Sequence, residues 1–94
     1  MDIILGQVVY SKAGRDAGDK FIVVGIADKL HVLISDGDLR KIEKPKKKKI
    51  KHLSLSEVII DSLNKKLING IKIANSEIKK AILGCENNID SGGS

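Results

Sequence analysis

Apolar residues alternate with polar ones through three stretches of the N-terminal half, Ile4 to Ser11, Lys20 to Ala27 and Leu30 to Ser35, and this period predicts three β-strands. The middle stretch is more continuously apolar than a one-faced strand, as expected where both faces are covered. Asp28-Lys29 reads as a tight hairpin turn and Asp36-Gly37-Asp38 as a second turn. A fourth strand is expected over Leu39 to Glu43 and a short last one over Ile50 to Leu53, while Pro45, which cannot donate to a ladder, marks an edge or a break. Five short strands with Gly and Asp turns suit a small barrel.

After Leu53 the period changes. Ser54-Leu55-Ser56-Glu57 has the form of a capping box, and Val58, Ile59, Leu63 and Leu67 follow near helical spacing, with Gly70 placed to stop the helix. A second, shorter helix is expected over Ser76 to Leu83, ended by Gly84, with Ile78, Ala81 and Ile82 on one face. The Gly/Ser-rich run Asn87 to Ser94 reads as a disordered tail. The expected organisation is thus residues 1–53 as a barrel, 54–86 as a helical extension and 87–94 as a flexible tail.

The segment Gly6 to Ile26 carries the candidate chemistry. Between two apolar strands lies a loop holding Gly14, Arg15, Asp16, Gly18 and Lys20. Glycine there permits positive φ where the chain must reverse, and it clears side chains from a surface that a ligand can approach. Arg15 and Lys20 add positive charge beside that bare backbone, which suits phosphate. The loop lacks the Walker spacing ending in Gly-Lys-Ser/Thr, so it is not a nucleotide P-loop.

The run Gly14-Arg15-Asp16-Ala17-Gly18-Asp19-Lys20, between Gly6-Gln7-Val8-Val9 and Phe21-Ile22-Val23-Val24, resembles the KOW motif of large-subunit ribosomal proteins. The similarity is to the archaeal and eukaryotic fourteen-e family and its bacterial KOW-domain relatives. It covers about residues 3–53 and includes the basic segment ending in Ile50-Lys51-His52-Leu53. The resemblance implies a mostly β fold with α, a small SH3-like β-barrel followed by a helical C-terminal extension, and it implies binding to ribosomal RNA without catalysis.

Composition sharpens this picture at three points. Aromatics are limited to Tyr10 and Phe21, so the core must be aliphatic. The single cysteine, Cys85, permits no internal disulfide, as in a reducing cytosol. The N-terminus lacks a positive n-region and a long apolar run, so neither a signal peptide nor an anchor is expected, and no stretch reaches the ~18 apolar residues of a membrane span.

Charge is unevenly placed. Residues 1–53 hold 12 Lys or Arg against 7 Asp or Glu, whereas residues 54–94 hold 5 against 5, so the whole net charge of +5 lies in the first segment. Arg40 to His52 alone carries 8 bases against Glu43. A strip this concentrated attracts a polyanion, with salt-dependent affinity through counterion release. The expected RNA contacts are Lys12, Gly14, Arg15, Gly18, Lys20, Arg40, Lys41, Lys44, Lys46, Lys47, Lys48, Lys49 and Lys51. The lysine run is expected on an exposed loop; a solvated charge run and a nuclear-localisation tract are its other readings.

Other side chains point elsewhere. Tyr10 and Phe21 offer a weak stacking platform, against which stand Phe21 as core and Tyr10 as half-buried at a strand end. His31, His52 and Cys85 are scattered singles without zinc-ligand spacing or a nucleophile motif; His31 reads as a partly exposed strand residue, His52 as part of the basic strip and Cys85 as a free thiol near a helix end. The stripe Val58, Ile59, Leu63, Leu67 is expected to cap the protein's own core, its alternative being a partner or the ribosome surface.

The expected function is therefore non-catalytic RNA binding to ribosomal RNA or the large ribosomal subunit, as a ribosomal protein or translation accessory in the cytoplasm, with no cofactor, metal, membrane or small-molecule substrate. Ribosomal-protein contacts through the C-terminal helices are a further expectation. The alternative is a KOW protein-interaction module contacting the transcription or translation machinery.

Overall fold

The computed structural model describes residues 3–93, with side chains through residue 84. Its elements run β1 (Gln7–Ser11), β2 (Lys20–Ile26), β3 (His31–Ser35), β4 (Lys46–Lys49), a 3-10 turn (Ile50–His52), β5 (Leu53–Ile59), α1 (Asp61–Ile68) and α2 (Asn75–Gly93). The strands form one antiparallel five-stranded sheet in the order β4-β3-β2-β1-β5. The protein is mostly β with α. No ladder joins β4 to β5 among the described residues, so the sheet is open and not a closed barrel.

The sheet is nevertheless strongly rolled, and the connection across its edges requires it. Lys49 pairs with His31 on one outer strand and Leu53 pairs with Ser11 on the other. Four residue steps span at most about 14 Å, whereas outer strands of a flat five-stranded sheet stand about 19 Å apart. The 3-10 turn is pinned at both sides: Ile50 N–H donates to Leu30 O at 2.9 Å and Lys12 N–H to His52 O at 2.8 Å.

Both faces of the sheet are covered. On one face Val9, Phe21, Val23, Val32, Ile34 and Leu53 form a buried cluster, with Leu5, Ile50 and Leu55 packed against it. On the other, Val8 and Ile22 meet Leu63 of α1, Ile73 just before α2 and Ile78 in the first turn of α2. Successive residues of β1 and β2 thus enter opposite clusters, which is why those strands are apolar at consecutive positions. The helices cap the protein's own core.

Four expectations fail beyond β3. Leu39 to Glu43 forms turns, not a strand: Leu39 is 84% exposed and the fourth strand is the lysine run itself. Pro45 directly precedes this edge strand, where its missing donor is harmless. Ile50–His52 is a 3-10 turn, and the supposed capping box of residues 54–57 lies inside β5, so Val58 and Ile59 end a strand instead of opening a helix. Helix α1 begins only at Asp61, with no side-chain cap at Ile60. Helix α2 continues past Gly84, and the side chains of the stretch expected as a tail, together with Cys85, lie outside those described.

Polar side chains fix the helices to the sheet. Asn64 Nδ2 donates to Leu5 O at 2.7 Å, and Gly6, at φ 89°, lies so close to the backbone of Asn64 that a Cβ would stand 2.9 Å from its nitrogen. Asn75 bridges α2 to the turn before β4: its Oδ1 accepts from Ile42 N–H at 2.8 Å and its Nδ2 donates to Glu43 Oε1 at 2.9 Å. Glu77 accepts from Ala74 N–H at 2.8 Å and from Lys66, tying the start of α2 to α1.

Candidate nucleic-acid interface

The glycine loop and the lysine run, separate in sequence, meet around one carboxylate. Asp16 Oδ2 accepts from Lys46 Nζ at 2.8 Å and its Oδ1 accepts from Lys48 Nζ at 3.0 Å; Ser11 Oγ stands 2.7 Å from the same Oδ1. Lys48 Nζ also donates to Ala13 O at 2.9 Å. The Asp16 side chain is 12% exposed and that of Lys48 is 9% exposed, so this pair is shielded from solvent. Burial alone would raise the Asp16 pKa, but hydrogen bonds from Lys46, Ser11 and Lys48, with the Lys46 charge, hold the carboxyl well below the usual range.

The loop adopts the expected backbone. Gly14 and Gly18 have φ 85° and 90°, and nothing lies within 4 Å of where a Gly18 Cβ would stand. Backbone bonds from Gly18 N–H to Ser11 O at 2.7 Å and from Ser11 N–H to Asp19 O at 3.0 Å close the loop onto β1. The Gly18 backbone therefore faces open space.

The lysine run is a strand, and this corrects its expected loop conformation. Side chains alternate along a strand, so Lys46 and Lys48 turn toward Asp16 while Lys47 and Lys49 are exposed. Lys47 Nζ lies 3.7 Å from Asp28 Oδ2, an exposed pair in which the Asp28 carboxyl is held low chiefly by His31 and by Leu30 N–H. Lys48 is the one member of the run removed from solvent.

Around the 3-10 turn the positive charge continues. His52 has its pKa lowered by burial and by the charges of Lys51, Lys49, Lys48 and Lys12. Lys12 and Lys51 are exposed. Arg15 and Arg40 are also exposed and border one open cleft of about 350 Å³ between the glycine loop and the turn after β3.

The remaining expected contacts fall elsewhere or are engaged. Lys20 Nζ stands over the Tyr10 ring, 5.8 Å from its centroid, across the β1–β2 ladder. Lys41 and Lys44 lie in the turn that Asn75 ties to α2. Phe21 is buried core and has no face to offer a base. His31 is half-buried on β3 and bonds Asp28.

Asp16 is the residue that joins the two segments, and the sequence left it without a role. A signal existed: it is an acid between two glycines in a basic segment, the kind of residue that finds a lysine when the chain folds. Which lysines it would meet, 30 and 32 positions away, depended on the register of β3 with β4. Among the described residues no group of three His, Cys, Asp or Glu side chains is placed to hold a metal ion, and no helix is long and apolar enough to cross a membrane.

No family model matches the chain. It is similar to a curated protein of Bacillus subtilis (strain 168), "Putative ribosome-binding protein YbzG", with 36% identity over 56 residues, which are 60% of this chain and 76% of that protein. At that identity and coverage, the chain belongs to the family of this Bacillus subtilis protein.

Proposed function

We propose that the chain is a non-catalytic, ribosome-associated RNA-binding protein of the cytoplasm, contacting ribosomal RNA of the large subunit as a ribosomal component or translation accessory. The observation that carries this reading is the junction of glycine loop and lysine strand at Asp16, where Lys46 and Lys48 turn inward and Lys47 and Lys49 are left exposed on the same strand, with Lys12, Arg15 and Lys51 also exposed. Exposed cations of this kind meet a phosphate backbone at several points, and Gly18 leaves its backbone open to close approach. The ribosome-binding relative supports the same partner. The rolled sheet with its glycine loop supports a KOW-type, SH3-like domain, and no cofactor enters the reading.

One observation favours a second contact, with protein. Ile71, 54% exposed, lines an apolar groove together with Ile42 and Leu67. A ribosomal protein, or in the alternative reading a protein of the transcription machinery, would cover it.

The test is gradient sedimentation of a cell lysate containing the tagged chain, with cross-linking and sequencing of the bound RNA. Co-sedimentation with the large subunit and cross-links in its RNA are expected. A chain that stays at the top of the gradient and yields no ribosomal RNA overturns the proposal.

A further inference from the structure

The cleft between the glycine loop and the turn after β3 differs in charge from the lysine rim. Arg15, Arg40 and Lys46 face it together with Asp16, Asp19 and Asp36, three cations against three carboxylates. A neutral cleft is a poor trap for phosphate. It is a good place to read the edge of a base, which offers donors and acceptors without net charge.

Two features make it a reading site. Among the described residues neither the Arg15 nor the Arg40 guanidinium makes a hydrogen bond or an ion pair, although carboxylates border the same space. Two planar donor forks are thus left open. The cleft also has apolar surface: Leu39, 84% exposed at the turn, lines it and offers a contact for the face of a flat ring. About 350 Å³ lies at the lower end of small-molecule sites, the size for one nucleotide base and not a pair.

We propose that this cleft receives one unstacked guanine of the bound RNA. Guanine presents the paired acceptors O6 and N7, which a guanidinium fork matches, and on its other edge the N1–H and N2 amino donors, which a carboxylate accepts. Adenine interrupts the acceptor pair with its amino group, and the pyrimidines lack N7. Arg15 or Arg40 supplies the fork and Asp19, exposed at the end of the loop, supplies the acceptor. The lysine rim holds the backbone on either side. The inference rests on the RNA-binding reading and adds sequence preference to it.

Fluorescence anisotropy with the full chain tests it, using an eight-residue oligouridine and the same oligomer with one central guanosine. Both carry the same number of phosphates, so their salt slopes should agree while the guanosine oligomer binds about tenfold more tightly. Inosine at the central position, lacking the N2 amino group, should fall between them. Arg15→Ala and Asp19→Asn should each bring the guanosine-to-uridine ratio toward one, with thermal melts showing the variants folded. A ratio near one in the parent chain, with binding still salt-dependent, overturns the guanine cleft and leaves the RNA reading standing. Salt-dependent binding to neither oligomer overturns the RNA reading and the cleft with it.

Discussion

Lys48 Nζ lies 3.0 Å from Asp16 Oδ1, and this one contact sets the glycine loop against the edge strand β4. Both side chains are largely buried, so the pair is a structural fastener, and the ammonium that the sequence offers to RNA is already occupied. Removing the negative charge leaves Lys46 and Lys48 facing neutral acceptors only, Ala13 O among them. Breaking a shielded pair from one side leaves an uncompensated charge, so Asp16→Asn should cost about 2–4 kcal/mol in urea unfolding at neutral pH. A loss of a few tenths would mean that the fastener carries no stability.

The same carboxylate makes stability depend on acid. Its pKa is lower folded than unfolded, so below the ordinary range the unfolded chain binds more protons. Its contribution is complete above about pH 5 and is lost as pH falls through the unfolded carboxylate range, near 3.9, toward the lower folded value. Asp28, Glu43 and Glu77 shift in the same direction at exposed sites, so the informative quantity is the difference between parent and Asp16→Asn. That difference should shrink between pH 6 and pH 2; a constant gap would assign the effect to lost packing.

Two glycines with similar backbone angles should respond differently to alanine. Gly18, at φ 90°, has open space where a Cβ would go, whereas at Gly37, φ 76°, a Cβ would stand 2.4 Å from Asn75 O. Gly18→Ala should therefore cost only the left-handed backbone penalty, about 1–2 kcal/mol. Gly37→Ala adds a collision with the first residue of α2 and should exceed that by at least about 1 kcal/mol. Thermal melts of both variants read the order directly, and a reversed order would contradict the docking of α2 on the β3–β4 turn.

The packing of the helices predicts the effect of Ile78→Ala. Ile78 is fully buried against Val8, Ile22 and Leu63. Truncation leaves a cavity beneath α2 and should cost about 2–5 kcal/mol. Ile71→Ala, at a residue 54% exposed, should cost well under half of that. Equal losses would place the helices off the sheet.

What could be read from the sequence follows from which forces are local. Strands β1 to β3 were legible because apolar period and turn residues act within a few positions, and the double-sided burial of β2 was visible in its unbroken run Phe21 to Val24. β4 was not, since four lysines carry no apolar period and their strand state comes from the ladder with β3. At β5 two signals competed. Ser54 to Glu57 mimics a capping box, while Leu53-Ser54-Leu55-Ser56 alternates at period two with Leu53 and Leu55 in the core; the pairing with β1 decided for the strand. Of the site, the loop and the basic run were legible separately. Their union through Asp16 was not, because it is a contact across 30 residues and more.

The alternation along β4 yields the most direct test of the interface. Lys47→Gln with Lys49→Gln removes two exposed charges, one of them in only a loose pair with Asp28, so melting should stay within a few degrees of the parent. Affinity for single-stranded RNA should fall, and the slope of log affinity against log salt should become shallower by about 1.4, two contacts at about 0.7 each. Lys46→Gln with Lys48→Gln removes the same formal charge from the same strand, but both side chains serve Asp16. That variant should melt well below the parent, with a smaller change in slope once measured where it is folded. Filter binding at four salt concentrations beside thermal melts separates the two. If both pairs shift the slope equally and neither melts early, all four lysines face the RNA and the inward pair with Asp16 does not exist in solution.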